Sequence, residues 1–379
     1  MNLSETAEVL EAISRLKSED RALALATIVS VRGSTYRRPG ARLLVPEEGP
    51  AIGNLSGGCL EGDVEEVARE VMASGETRLK TYDLTAEDEA VWGWGLGCNG
   101  TIEVFIEPAG RAAETADVLR MALSESRSIA VATVIESDSQ RIRPGARLVL
   151  YPSGKSEGSL GESSLNEAAI SACENSLGEG VTDVFEVDFS GGRARLFVEA
   201  LKPPLRLLLC GAGHDAIPLV AQASNLGWRV EVIDDRAAFL DSQRFPGAER
   251  FVNTKPGEAA GRTRPDGSSY VVVMSHNYLR DRDYLRSFLG TEAAYIGMLG
   301  PRARLARLLD DLATEGIRAT DDQVERVYGP AGLDLGGEGP EEIAAAIVAE
   351  ILAVSRGRPA GPLRRREGPI HERPEPVGI

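Results

Sequence analysis

The chain has 379 residues, of which 42% are hydrophobic, and a net charge of −16, which indicates a soluble globular protein of two or three domains. The acidic excess argues against nucleic-acid binding, because that requires a basic surface. No apolar run approaches the roughly 20 residues that span a bilayer, and the N-terminus lacks the features of a secretory signal. We therefore expect a cytoplasmic protein with no membrane span.

The chain opens with a predicted helix and continues as a duplicated module. Val9, Leu10, Ile13 and Leu16 recur at helical spacing. Further on, "RPGARLLVPEEGPAIGNLSGGCL" from Arg38 corresponds without gaps to "RPGARLVLYPSGKSEGSLGESSL" in the second half of the module region, with 10 of 23 positions identical. The flanking strands "ALATIV" and "AVATVI" also match, as do "TIEVFIEPA" and "RARLFVEAL". Each copy is predicted to form an α+β unit.

The differences between the copies point to the functional one. The first copy has glycine, glycine and cysteine at 57–59, where the second has Glu162, Ser163 and Ser164. The first copy alone carries "AEDEAVWGWGLGCNG" before its closing strand. A purely structural loop would be kept in both copies about equally, so we interpret the first copy as the site and the second as scaffold or dimer surface.

Cys59 is the first candidate ligand. A helix is predicted to start near Leu60, and the unpaired amides and dipole at its N-terminus favour the thiolate form. Gly57 and Gly58 permit positive φ and a close approach by a ligand, and converging amides in such a loop also suit a phosphate. Glu61 works against that role because its carboxylate opposes an anion. The alternative is that Cys59 is a small packed residue.

Cys98 is the second candidate ligand, since "WGWGLGCNG" places four glycines around it. Ordering so many glycines costs backbone entropy, which a loop that only connects two elements would avoid. Two such thiols with no nearby histidine favour a soft metal such as molybdenum, copper or zinc; a redox pair is the alternative. Cys173 and Cys210 are predicted to be core residues.

The C-terminal half begins with the strand, glycine turn and helix of "LRLLLCGAGHDA", followed by the strand "RVEVID". This order matches the dinucleotide-binding fingerprint. In that interpretation Gly211 makes the turn, Gly213 clears the pyrophosphate of an NAD(P)-type nucleotide, and Asp234 binds a ribose hydroxyl. A Rossmann-like scaffold that has lost its nucleotide is the alternative.

Further parallel strands in "YVVVMS" and "AYIGML" alternate with helices, which predicts a doubly wound parallel sheet. His214 and His276 lie at its carboxyl edge. His276 is a candidate base or ligand, and the alternatives are that it caps the next helix or bonds a loop carbonyl. The predicted domains are 1–110, 111–202, a Rossmann-like domain at 203–356 and a disordered tail at 357–379. The fold class is thus a duplicated α+β module followed by a Rossmann-like α/β domain.

The motifs "RRPGARLLV", "GNLSGGCLEGDV", "GLGCNG", "SHNYLRD" and "YIGMLGPRAR" resemble those of the xanthine dehydrogenase accessory factor (XdhC/CoxI) family. The resemblance implies a chaperone that binds the molybdenum cofactor, in its molybdopterin or cytosine dinucleotide form, helps to sulfurate it and inserts it into a molybdenum hydroxylase. It maps the family's glycine-cysteine motif onto Gly57, Gly58 and Cys59, and its second cysteine onto Cys98. Asn99 stands where another glycine is expected.

The same resemblance implies a hydroxylase client, a cysteine desulfurase partner and a homodimer. It favours an accessory protein over a turnover enzyme. Two other hypotheses remain open at this point: an NAD(P)-dependent oxidoreductase that uses Asp234 and His276, and a thiol-redox sensor that pairs Cys59 with Cys98.

Overall fold

The computed structural model describes residues 3–84, 99–124 and 128–367. The chain divides into two compact units at Pro203 and Pro204. None of the helices in the described ranges is long and apolar enough to cross a membrane.

The first unit contains two copies of one α+β arrangement, each with a five-stranded antiparallel sheet. The sheet orders are β3-β2-β1-β5-β4 and β8-β7-β6-β10-β9, so corresponding strands occupy corresponding places. The elements of the first copy are α1 (Leu3–Ser18), β1 (Leu23–Ser34), β2 (Arg42–Pro46), β3 (Ile52–Gly53), α2 (Glu61–Ser74), β4 (Arg78–Asp83) and β5 (Asn99–Pro108). Those of the second are α3 (Ala109–Ser124), β6 (Ile129–Ser137), β7 (Arg147–Leu150), β8 (Ser156–Gly158), α4 (Ser163–Glu179), β9 (Asp183–Phe189) and β10 (Gly192–Leu201).

One glycine is kept in both copies for a steric reason. Gly53 and Gly158 adopt φ values of 96° and 88°, and a Cβ at either would lie 2.4 or 2.5 Å from the carbonyl oxygen of Arg42 or Arg147. No side chain fits there, because non-bonded atoms do not approach that closely. These two positions show what a structural glycine of the module looks like.

The two copies are joined by apolar packing and by charge pairs that cross between them. The predicted stripe of α1 is buried against α3, which confirms the helix and its face. Arg42 of the first copy donates to Glu199 of the second at 2.6 Å, and Arg147 of the second donates in turn to Glu107 of the first. Both pairs are almost fully buried. Since corresponding residues take reciprocal roles, the copies are related by an approximate two-fold arrangement.

The second unit is a six-stranded sheet in which every pairing is parallel, in the order β13-β12-β11-β14-β15-β16. Counted from β11 this is 3-2-1-4-5-6, the strand order of a Rossmann domain. Its strands are β11 (Arg206–Cys210), β12 (Arg229–Asp234), β13 (Arg250–Asn253), β14 (Ser269–Val273), β15 (Tyr295–Met298) and β16 (Val327–Tyr328). Its helices are α5 (Ala216–Asn225), α6 (Ala259–Thr263), α7 (Tyr278–Leu289), α8 (Arg302–Thr314), α9 (Asp321–Glu325) and α10 (Pro340–Ser355), with 3₁₀ turns at Ala237–Phe239, Pro256–Glu258 and Leu363–Arg365.

Apolar residues cover both faces of this sheet: α5 and α10 pack on one, and α7 and α8 on the other. The predicted fold class is confirmed: a duplicated α+β module precedes a doubly wound parallel sheet. Of the predicted C-terminal tail, residues 357–367 are described and the remainder lies outside the described residues.

Candidate functional site

The glycine-cysteine loop lies between β3 and α2. As the helical spacing predicted, Cys59 comes just before the helix, whose first residue is Glu61. Gly57 and Gly58 have φ values of 89° and 116°, yet a Cβ on Gly57 would only touch the ring of Tyr36 at 3.7 Å, and one on Gly58 would meet nothing within 4 Å. Backbone conformation therefore requires these glycines, whereas crowding does not, unlike Gly53. The two glycines are exposed and Cys59 is half-buried.

The second copy shows what the loop replaces. There α4 begins at Ser163, the counterpart of Gly58, three residues ahead of the counterpart of Glu61. Three residues are nearly one helical turn. Ser164, in the place of Cys59, is thus inside the first turn, with its hydroxyl bonded to Glu162 and Ser190. The first copy has this turn unwound by its glycines, which leaves the thiol in a loop.

The loop amides are already occupied. Glu61 accepts hydrogen bonds from the backbone N–H groups of Leu55, Ser56, Gly58 and Leu60 at 2.8 to 3.1 Å, and from the Ser56 hydroxyl. The two remaining amides of the loop, at positions 57 and 59, donate to Asn54 and to the Ser56 hydroxyl. These amides therefore already have acceptors within the loop, and the chain's own carboxylate is the anion at this helix end. A phosphate would have to displace it, so the phosphate site stays a prediction.

Burial acts to raise the pKa of Glu61, but hydrogen bonds from the Ser56 hydroxyl and from loop amides outweigh it and hold the pKa below its usual range. Glu61 is accordingly a charged brace for the loop. The sequence analysis treated it as an obstacle to anion binding. The signal that could have identified it as an acceptor was its place in the first turn of a predicted helix, where a carboxylate is favoured by the unpaired amides.

A second asymmetry, missed at the sequence level, lies beneath the helix. Asp63 and Tyr82 border a cavity of about 180 Å³; burial and the Asp63 carboxylate raise the pKa of Tyr82. Asp63 Oδ2 and Tyr82 Oη are both buried, and neither makes a hydrogen bond of normal geometry with the described part of the chain. The second copy has Ala168 and Val187 at the corresponding places in its apolar core. The first copy therefore carries a buried polar pair where the second copy is apolar.

The other cysteines divide as follows. Cys98, the second predicted ligand, lies outside the described residues, as do Trp92 and Trp94. Cys173 and Cys210 are fully buried, which confirms their prediction as core residues. Burial raises the pKa of Cys173 to about 12 and raises that of Cys210 well above its usual range. Within residues 3–84, 99–124 and 128–367, no three metal-ligating side chains are grouped so as to hold an ion.

The glycine turn of the second unit connects β11 to α5. Gly211 has φ 110°, and a Cβ there would lie 2.7 Å from the carbonyl oxygen of Met274, so glycine is obligatory. Gly213 is free of such crowding, with His276 its nearest neighbour at 3.8 Å. The turn thus has the shape that the fingerprint predicts.

Asp234 lies at the end of β12, but its carboxylate is engaged. It accepts from the N–H of Ala212 at 2.8 Å and from the guanidinium of Arg236 at 2.8 and 2.9 Å. Burial acts to raise its pKa, and the bonds from Arg236 and Ala212 lower it overall. A ribose hydroxyl would have to compete with Arg236 for this carboxylate. Arg236 lies two residues further along the chain and had no predicted role.

His276 follows β14 with φ 56°, an unusual value for a residue with a side chain. Its Nε2 lies 3.1 Å from Asp215 Oδ2, and its side chain is half exposed. Helix α7 is capped by the neighbouring Asn277, which accepts from the Arg280 N–H, so the capping alternative for His276 is wrong. His214 is exposed beside the same turn. The two histidines and Gly213 thus lie at one edge of the sheet.

Comparison with known proteins adds to this geometry. This chain, with its duplicated module and its Rossmann unit, matches two family models. The model described as the XdhC and CoxI family matches residues 16–83 and 122–188, one stretch in each copy, and the model described as the XdhC Rossmann domain matches 207–351. The chain belongs to the XdhC and CoxI family.

Individual relatives cover nearly the whole chain. A protein of Bacillus subtilis described as a probable xanthine dehydrogenase subunit is 32% identical over 89% of this chain and 94% of its own length. The "Molybdenum cofactor insertion chaperone PaoD" of Escherichia coli is 23% identical over 87% of this chain and 82% of its own. A crystal structure described as a xanthine dehydrogenase from Bacillus halodurans superimposes with a TM-score of 0.71 at 29% identity, covering 93% of this chain and 96% of that one.

Proposed function

We propose that this protein is a molybdenum cofactor chaperone, which binds the cofactor at the Cys59 loop, protects it, assists its sulfuration and inserts it into a molybdenum hydroxylase such as xanthine or carbon monoxide dehydrogenase. The observation that carries the proposal is the unwound helical turn that presents Cys59 in the first copy only. The names of the Bacillus and Escherichia relatives point to the same chemistry.

The residues of the loop fit part of the cofactor and not all of it. A half-buried thiol beside two exposed glycines suits a soft metal that arrives already bound to its pterin, since such a metal needs few protein ligands. Cys98 is proposed as the second thiol of the site. The loop amides do not fit the cofactor's phosphate, because Glu61 occupies them, so other groups have to bind that end.

The partners follow from the proposed task. Replacement of an oxo ligand by a sulfido ligand requires a sulfur donor, for which a cysteine desulfurase is proposed, and delivery requires a cofactor-free hydroxylase. We also propose that the protein acts as a cytoplasmic homodimer.

A delivery assay tests the proposal. Protein purified from a host that makes molybdopterin is mixed with a cofactor-free molybdenum hydroxylase, and hydroxylase activity is followed. We expect activation that depends on the chaperone dose and is lost with Cys59→Ala. Full activation by Cys59→Ala, or none by the wild type when loaded with cofactor, would refute the proposal.

Binding of a nucleotide by the second unit is a separate candidate, favoured by the 3-2-1-4-5-6 strand order and the Gly211 turn. The ligand would be NAD(P) of an oxidoreductase or the cytosine nucleotide of a larger cofactor form. Engagement of Asp234 by Arg236 opposes NAD in particular. Calorimetric titration with NAD, NADP and cytidine diphosphate decides among these: no heat with any of them at millimolar concentration would exclude this second function.

A further inference from the structure

A cleft of about 200 Å³ lies beside the cysteine loop, between α1 and the turn that joins β1 to β2. Tyr36 connects the two features: it lines the cleft, and its ring would be 3.7 Å from a Cβ on Gly57. The cleft is therefore adjacent to the loop that carries Cys59. Besides Tyr36, its functional groups come from Glu5, Arg37 and Arg38.

Tyr36 offers a flat surface for stacking. It is 69% exposed, so most of this aromatic residue is open to solvent. A ring with one apolar face toward solvent and another against backbone suits a planar heterocycle.

Glu5 offers an acceptor that nothing in the described chain uses. Its Oε2 accepts from Arg37, whereas its Oε1 is buried and has no hydrogen-bond partner among the residues that the structure describes. Such an orphan oxygen is costly unless a partner arrives from outside. The amino-pyrimidinone edge of a pterin carries adjacent N–H donors of the kind that a carboxylate accepts.

Arg37 and Arg38 offer positive charge where the loop amides cannot. Residues 32–42 contain four arginines and no acidic residue, in a chain with net charge −16. Of these, Arg42 is committed to Glu199. Arg37 has five N–H donors and directs one nitrogen to Glu5, so its remaining donors suit a phosphate. Arg38 adds a second guanidinium charge to the same cleft.

The second copy lacks this combination. Its counterparts of Tyr36 and Arg37 are Arg141 and Ile142, the latter buried. The third residue of its first helix is Arg111, where α1 has Glu5. Arg38 corresponds to Arg143. The stacking ring and the orphan carboxylate thus occur only in the copy that has the thiol.

We propose that this cleft binds the pterin of the cofactor: Tyr36 stacks on the ring system, Glu5 accepts from its amino-pyrimidinone edge, and Arg38 with Arg37 binds the terminal phosphate. This rests on the proposed function, and it separates the anion-binding groups from the metal-binding thiol.

The test uses two probes with the full-length protein: the oxidised, fluorescent pterin that carries the cofactor's phosphate, and the same pterin after phosphatase treatment. For the wild type we expect the phosphorylated probe to bind more tightly. Arg38→Gln should weaken its binding roughly tenfold to a hundredfold and leave the dephosphorylated probe nearly unaffected. Arg143→Gln in the second copy is the matched control and should change neither.

Three further variants probe the part of the cleft that would bind the ring system. Tyr36→Ala and Glu5→Gln should weaken both probes alike, whereas Tyr36→Phe should retain binding, and circular dichroism checks that each variant is folded. Wild type that loads with cofactor in the cell but binds neither probe, or Arg38→Gln that discriminates between the probes as the wild type does, would overturn this inference and leave the proposed function standing. Wild type that never carries molybdenum or pterin would instead remove the proposed function, and this inference with it.

Discussion

Glu61 sets the character of the loop at the scale of single residues. One carboxylate accepts four backbone N–H groups and a hydroxyl, which fixes the loop without a ligand. The loop is therefore a preformed support for Cys59 whose strength depends on the charge of one side chain.

That dependence predicts an effect of pH. Because the pKa of Glu61 in the folded protein lies below its ordinary value of 4.5, the carboxylate stabilises the folded loop above the unfolded-state pKa, and this contribution is lost as pH falls through the lowered folded-state pKa. We expect the protection factors of the Leu55, Ser56 and Gly58 amides against hydrogen exchange to fall in Glu61→Gln at neutral pH, and in the wild type once the pH drops below the folded-state pKa of Glu61.

Asn166→Ala is the matched control in the second copy, where this side chain accepts only the Leu160 N–H. It should leave the first loop unchanged. Equal protection of the three amides in Glu61→Gln and wild type would contradict the bracing role.

The two copies differ by one turn at the scale of elements. The same strand order and the same crowded glycines occur in both, yet α2 starts three residues later than α4 relative to the repeat. The glycine pair thus takes the place of a helical turn, and we interpret the loop as a feature added to the scaffold that the two copies share.

A loop exchange tests this. With Gly57–Cys59 replaced by Glu-Ser-Ser, we expect α2 to gain about one turn, visible as higher helicity by circular dichroism. Thermal stability should be kept or raised, because replacing two glycines lowers the conformational entropy that the unfolded chain loses on folding. Cofactor loading should disappear. A chimera that unfolds, or that still loads, would contradict the scaffold interpretation.

Sequence reasoning predicted elements with a strong period and missed those without one. The apolar stripe of α1 and the strands β11, β12 and β14 were predicted correctly, because the spacing of their apolar residues indicates which side chains are buried. Strands β3 and β8 have two and three residues, too few to show alternation. The role of Glu61 was misinterpreted because a carboxylate near a helix start can either repel a bound anion or accept from the helix amides itself. Only the coordinates show that it faces the amides.

Reciprocal ion pairs unite the copies at the scale of the whole molecule, while the Rossmann unit has cores of its own. The repeat held the signal for these pairs, since Arg42 and Arg147, and Glu107 and Glu199, are charged residues retained in both copies among apolar neighbours. Each unit should therefore respond to damage in its own core.

Two substitutions test this independence by calorimetry. Glu199→Gln leaves Arg42 buried without its charged partner and should cost the first unit about 3–5 kcal/mol. Gly211→Ala forces a Cβ to within 2.7 Å of Met274 and, with the added φ strain, should cost the second unit roughly 1–3 kcal/mol.

We expect two unfolding transitions, of which each variant lowers a different one. Glu157→Gln, at an exposed pair with Lys155, should shift neither noticeably. A single transition that both core variants lower equally would contradict the independence of the units.

The central claim is that the Cys59 thiol, freed from a helix by its two glycines, holds the metal of the molybdenum cofactor. The most direct measurement is the molybdenum and pterin content per chain of wild type, Cys59→Ala and Ser164→Ala, all purified from the same molybdopterin-producing host. We expect Cys59→Ala to lose most of its molybdenum and Ser164→Ala to keep the wild-type amount. Equal molybdenum content in Cys59→Ala and wild type would contradict the central claim.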